Sequence, residues 1–213
     1  MKILDDCIIA SEEMIYSIGA NIKKRAAVLL INSSKIIYRA VYAQKSELKP
    51  TWEQVCDVFP IGDLLNENTH SFDSKIYTNS ISKIHLIAAV PKKIIDDTLS
   101  NAIDALGRSS EVKIMEPIEC RIIDLYGDED DVWLVFSQDE NLRIIVVFNG
   151  LPSEVHIIST KKELMESQLK RMTMPEKIYF IELPWVCDID ISNLQEFCDE
   201  NNIILNRRII CTQ

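Results

Sequence analysis

The 213-residue sequence holds only five glycines, and neither G-x-x-x-x-G-K-[ST] nor G-x-G-x-x-G occurs in it. The glycine-rich cradles that commonly bind nucleotide phosphates are therefore missing as motifs. Six cysteines (Cys7, Cys56, Cys120, Cys187, Cys198, Cys211) are scattered without a C-x-x-C pair, several of them inside apolar runs. Such usage fits reduced core thiols rather than a disulfide framework. The three histidines, His70, His85 and His156, lie far from one another and from any cysteine pair, so no metal-ligand spacing is present. His85 and His156 sit in strand-like runs and fit hydrogen-bonded structural roles. No uninterrupted apolar run reaches 18 residues, so no segment is expected to span a bilayer. At the N-terminus, Met1-Lys2-Ile3-Leu4-Asp5-Asp6 puts two acids where a signal peptide needs an apolar core.

Concentrated basic charge is also lacking. Residues 1–88 carry 10 acids and 10 bases, whereas residues 89–213 carry 23 acids and 13 bases, so the whole net charge of −10 belongs to the second part. A phosphate-backbone binder needs a basic surface, and only Lys23-Lys24-Arg25 and Arg207-Arg208 cluster cations, so nucleic-acid binding is not expected. The run Asp128-Glu129-Asp130-Asp131 lacks the alternating ligands and the glycine of an EF-hand and fits an exposed loop. With 47% hydrophobic and 26% charged residues, the composition is that of a folded chain.

What is present is strongest from Val132 onward. Val132–Phe136, Leu142–Phe148 and Val155–Ser159 are apolar β-type runs, separated by Asp139-Glu140-Asn141 and by Asn149-Gly150 with Pro152, which is hairpin punctuation. A helix over about 160–173 follows, with Thr160 and Glu163 at capping-box spacing and Leu164, Met165, Leu169 and Met172 on one face. Lys177–Leu183 predicts a strand ended by Pro184. A second capping box, Ser192 with Gln195, opens a helix that places Ile191, Leu194, Phe197 and Cys198 on the sheet, before a closing strand Ile203–Cys211. The resulting order, β-β-β-α-β-α-β, is that of a ribonuclease H-like or actin-like half-domain.

The first part is less regular. Ala26–Ile31 and Ile36–Tyr42 predict a hairpin around Asn32-Ser33-Ser34-Lys35, while Cys7–Ala10 and Met14–Ile18 fit either two strands or a helical region. Residues 44–83 are polar and sparse in pattern, with one short element suggested near Trp52, Val55 and Val58–Ile61. Ile84–Val90 is an apolar strand ending at Pro91. The helix after it sets Ile95, Leu99, Ile103 and Leu106 on one stripe, and Gly107 stops it. Val112–Met115 is a strand, and Pro117 opens a helix with Ile118, Ile122 and Leu125 inward.

The stretches IHLIAAVPKKIIDDTLSNAIDALG, KIMEPIECRIIDLYG and VWLVFSQDENLRIIVVFNGLPSEVHIIS together resemble the middle and second half of the PilM family, actin-like proteins of type IV pilus assembly. They are also similar to the cytoplasmic domain of the GspL family of type II secretion. The resemblance covers about residues 84–213 and implies an α/β, ribonuclease H-like (actin-like) fold with mixed sheets in two subdomains, which the uneven charge distribution divides as 1–88 and 89–213. It implies partners as well: a PilN-like inner-membrane protein with a short cytoplasmic tail, and a hexameric assembly ATPase. Membrane association is expected only through partners or, in a GspL-like version, through a transmembrane helix following Gln213.

Departures from the resemblance carry weight. In nucleotide-binding actin-like proteins the hairpin joining the first two strands of each half is an Asp-x-Gly type loop whose amides hold phosphate. Its counterpart here, Phe136-Ser137-Gln138-Asp139-Glu140-Asn141, has no glycine and two carboxylates. A two-metal nuclease would need a carboxylate in the first strand, but Trp133-Leu134-Val135-Phe136 is wholly apolar, so although Glu163, Glu166 and Asp188 could supply the other ligands the central one is missing. No serine or cysteine sits in a G-x-S-x-G elbow. With these departures, the resemblance implies a non-catalytic cytoplasmic scaffold of a pilus or secretion apparatus at the inner face of the membrane, with no catalytic, cofactor or metal residues assigned. The alternative is a nucleotide-binding actin-like or sugar-kinase-like ATPase with a degenerate phosphate loop. Trp52 and Phe59 are the candidate partner-binding anchors, with a place in the first domain's core as the other reading of each.

Overall fold

A computed structural model describes residues 2–3, 7–10, 15–18, 27–42, 50–59, 65–106, 112–128, 131–138, 140–183 and 190–211. The chain divides into two compact units, one of residues 1–3 with 122–212 and the other of residues 4–121.

The C-terminal unit is built on one six-stranded sheet. Its strands are β1 (Lys2–Ile3), β9 (Val132–Gln138), β10 (Asn141–Phe148), β11 (Leu151–Ser159), β12 (Lys177–Glu182) and β13 (Ile204–Cys211), in the order β1-β13-β12-β9-β10-β11. As expected from the turn chemistry, β9, β10 and β11 are antiparallel, and β12 and β13 then add in parallel. The added strand is β1, which pairs with Ile210 and Cys211. Every residue of β9 is buried, so both sheet faces are covered there. A strand buried on both faces must be apolar throughout, which is why Val132–Phe136 shows no alternation.

One face of this sheet carries the main core. Trp133, Val135, Ile144, Ile178 and Phe180 meet Met165 and Leu169 from α4 (Lys162–Leu169) and Leu194, Phe197 and Cys198 from α5 (Ser192–Glu200). The expected inward face of α5 is thus observed in full. In α4, however, Leu164 is exposed, because only the positions of Met165 and Leu169 point at β11 and the core.

Neither expected capping box forms. Lys161 is the N-cap of α4, and the Thr160 hydroxyl instead donates to the Glu140 carbonyl at 3.0 Å, tying the helix start to the β9–β10 turn. At α5 the N-cap is Ile191, and Asp190 Oδ1 accepts from the Ser192 amide at 2.9 Å. The Ser192 hydroxyl and amide together hold the Asp190 carboxyl below its ordinary range. A charged acceptor at a helix N-terminus gains from the dipole as well as the bond. Among the described residues, a capping box does form between Thr51 and Gln54, at the head of α1 (Trp52–Val58).

The N-terminal unit contains two smaller sheets. One, in the order β3-β2-β4-β8, comprises β2 (Cys7–Ala10), β3 (Ile15–Ile18), β4 (Ala27–Ile31) and β8 (Val112–Pro117). The other, in the order β5-β7-β6, comprises β5 (Ile37–Tyr42), β6 (His70–Thr78) and β7 (Lys83–Pro91). The expected β4–β5 hairpin is therefore incorrect. Both edges of β4 are filled by parallel partners, β2 and β8, so β5 pairs antiparallel with β7 instead. The ambiguous N-terminal runs form an antiparallel strand pair, Cys7 opposite Ile18.

β6 leaves little pattern in the sequence because it is an edge strand of polar, half-buried residues, while the central β7 takes nearly all the apolar character of its sheet. In α2 (Lys92–Leu106) the buried positions are Ile94, Thr98 and Ala102, one residue before the expected stripe, with Ile95, Leu99 and Ile103 half-buried beside them. α3 (Ile118–Tyr126) begins straight after Pro117 as expected, with Ile118 and Ile122 buried. Residues 89–121 fall within the N-terminal unit because β8 pairs with β4, whereas the charge distribution set the boundary at residue 88.

Asn149 and Gly150 both have positive φ, 51° and 70°, between the closing pair Phe148 and Leu151, which makes the β10–β11 connection a two-residue primed turn. Gly150→Val is expected to lower stability by about 1–2 kcal/mol, since a β-branched residue is strained in the left-handed region. Urea unfolding of the variant checks this, and an unchanged midpoint contradicts it.

Candidate functional site

The β9–β10 hairpin is the segment that the resemblance matches to the phosphate loop of nucleotide-binding actin-like proteins. Ser137 and Gln138 are buried there, and the Arg143 side chain, only 2% exposed, donates from Nε to Gln138 Oε1 at 3.0 Å. Arg143 stands opposite Phe136 on β9 and Ile157 on β11. A guanidinium held this way fastens the hairpin by its own side chains. Nothing in the sequence pattern marks Arg143 as buried; its neighbours suggest only an apolar strand.

The acids considered for metal chemistry are Glu163, Glu166 and Asp188. Glu163 is exposed, Glu166 pairs with Lys170 at 3.4 Å, and Asp188 lies outside the described residues. Among the described residues no group of three His, Cys, Asp or Glu side chains is placed to hold a metal ion. His85 is buried in β7, while His156 meets Glu154 at 2.6 Å on β11.

A polar cluster surrounds the β8–α3 junction. Glu116 receives Lys75 of β6 at 3.4 Å and Arg121 of α3 at 3.3 Å. Glu119, fully buried in the first turn of α3, accepts from the Tyr38 hydroxyl at 2.5 Å, and Tyr77 donates to the Cys120 carbonyl at 3.2 Å. The sequence signal was Glu116-Pro117 before a helix; the partners come from β5 and β6, which pattern alone could not assign. Burial, with Glu119 beside it, pushes the Cys120 thiol up to about 12, so it offers no thiolate nucleophile near neutral pH.

A cavity of about 330 Å³ opens at the other end of β9, near the β10–β11 turn. Trp133, 1% exposed, lines it, while Phe148 (52% exposed) and Met174 (40% exposed) stand at its mouth. The register slips between Val146 and Val147 opposite Pro152, and Ser153 Oγ donates to the Val146 carbonyl at 3.2 Å, so a bulge shapes one wall. Asp131, with φ 45°, accepts the Asn149 amide at 3.0 Å and fixes the opposite rim. No single motif announces this cavity, because it is assembled from a bulge, a turn and residues 173–175.

The two candidate anchors separate. Phe59, 3% exposed, packs with Val55, Leu65, Ile87 and Ala89 in the core of the N-terminal unit. It therefore presents no surface to a partner. Trp52 opens α1, and its side chain lies outside the described residues.

No family model matches the sequence, and no curated protein matches it. Solved structures do. A PilM–PilN type IV pilus biogenesis complex aligns with a TM-score of 0.58 at 13% identity, over 87% of this chain and 69% of that one. The cytoplasmic domain of EpsL, an inner-membrane component of the type II secretion system of Vibrio cholerae, aligns at 0.51 and 9% identity, over 92% and 94%. A Bacteroides thetaiotaomicron protein of unknown function with an actin-like ATPase fold aligns at 0.55 and 8% identity, over 97% and 90%. The fold is actin-like. The expected fold class and the structural similarity to PilM and cytoplasmic EpsL are thus both found. Within this actin-like frame, no helix among the described residues is long and apolar enough to cross a membrane.

Phe59→Ala is expected to cost about 3–5 kcal/mol by leaving a cavity among Val55, Leu65 and Ile87. A melting curve unchanged from the parent would contradict the core assignment. Cys120 and Cys198 both have thiols raised from 9.0 to about 12 by burial. The unfolded chain loses these protons first, so their contribution is complete below about pH 8.5 and is lost as pH rises toward 12. Iodoacetamide at pH 8 should leave both unmodified in the native chain, as read by peptide mass mapping.

Proposed function

We propose that this chain is a non-catalytic scaffold of a type IV pilus or type II secretion assembly, working on the cytoplasmic face of the inner membrane. The observation that carries the reading is the β9–β10 hairpin: it lacks glycine, its Gln138 and Arg143 side chains are engaged with each other, and Glu140 is bound to Thr160 through its carbonyl. Phosphate binding at such a loop needs free amides that a ligand can approach closely. The fold likeness to PilM and to cytoplasmic EpsL supports the setting.

Recognition would replace catalysis as the mechanism. A sheet whose β9 strand is buried on both faces offers a firm base, and its edges and grooves would present apolar contacts to a partner's cytoplasmic segment or to an assembly ATPase domain. Membrane association then follows from the partner.

The full chain should associate with the cytoplasmic tail of an inner-membrane protein encoded beside it, or with the neighbouring assembly ATPase, to the same extent with and without ATP. Biolayer interferometry with both purified partners measures this. Absence of association with either one, at concentrations up to about 100 μM, would remove the scaffold reading.

A further inference from the structure

The cavity beside Trp133 carries apolar side chains at an open mouth, where a solitary protein gains nothing from exposing them. Phe148 and Met174 are both large, and both are 40% exposed or more. Large apolar groups around a concave site are the usual anchor positions of interfaces. At about 330 Å³ the cavity sits at the small end of ligand-pocket sizes, about 300–1,000 Å³. That room suits one large side chain and its adjoining backbone.

Charge selects the flanks of the occupant. Asp131 and Glu154 are the charged residues among those lining the cavity, and Lys, Arg and His are absent from them. Residues 122–212 as a whole carry 17 acids against 8 bases. A cation on either side of an apolar anchor would therefore meet favourable potential. Simple strand addition is disfavoured at this point of β11, an edge strand, because Pro152 has no N–H and the bulge interrupts the regular ladder.

We infer that the cavity between the β10–β11 turn and residues 173–175 receives one large apolar side chain of a basic partner segment. This deepens the scaffold reading and rests on it for the class of partner.

The probe is a fluorescein-labelled nonapeptide with a central phenylalanine flanked by lysines in a glycine and serine background, titrated against the full chain by fluorescence polarisation. Saturable binding is expected, at least tenfold weaker when the phenylalanine is alanine and likewise when the lysines are glutamates. Glu154→Gln should weaken binding severalfold. Thr173→Trp, at an exposed lining position, should abolish it with unchanged circular dichroism and melting. If that variant melts lower, Met174→Glu, also exposed, replaces it with the same expected loss.

No binding of the lysine–phenylalanine peptide at millimolar concentration, or equal binding by both variants, overturns the proposal. So does a concentration-dependent dimer of the unmodified chain that Thr173→Trp dissolves, because the occupant would then be a second copy. Peptide binding without association to the neighbouring assembly proteins would leave the cavity assignment and sink the scaffold reading. Association that survives Thr173→Trp undiminished would do the reverse.

Discussion

Burial of β9 on both faces is the constraint from which the C-terminal unit follows. Each large apolar side chain withdrawn from water there contributes about 1.5–3 kcal/mol, and the strand has no exposed position at all. Antiparallel β10 and parallel β12 can then flank it only with runs that are themselves nearly all apolar, as Leu142–Val147 and Ile178–Ile181 are. The same constraint limits chemistry. A carboxylate in the centre of β9 would be a buried, unpaired charge unless a metal compensated it, and Trp133-Leu134-Val135-Phe136 leaves no place for one. The same apolar strand lacks the carboxylate that a ribonuclease H-like metal site takes from its first strand.

Legibility in the sequence tracked how far each element's character was set locally. Asn149-Gly150 must turn whatever surrounds it, and Leu194, Phe197 and Cys198 repeat at helical spacing, so the β10–β11 connection and the buried face of α5 could be read directly. Pairing was legible only where a tight turn enforced it. β4 and β5 are close in sequence, but β2 and β8 occupy both edges of β4, a fact held in residues about twenty before and eighty after it. β6 is polar because it is an edge, and an edge can be told from a loop only once its neighbour is known.

The site was less legible than the fold. Arg143 and Glu119 are buried ionisable residues, and the partners named above, Gln138 of β9 and Tyr38 of β5, come from a different element in each case. Sequence pattern does announce a missing glycine, and that absence is the clearest functional sign in the chain. The capping hydroxyl of Thr160 illustrates the opposite case: a sound local motif lost to a tertiary acceptor, the Glu140 carbonyl. Phe59, which could be an anchor or a core residue on sequence alone, is decided by burial.

The two ends of β9 hold different roles in this account. Seven residues, roughly 20 Å of strand, separate a hairpin fastened by its own side chains from an open apolar cavity. The first end is proposed to hold no phosphate site, and the second to serve docking. The most direct test is equilibrium calorimetry of the full chain with ATP and magnesium at millimolar concentration. The account predicts no saturable heat, and a dissociation constant in the micromolar range would contradict it.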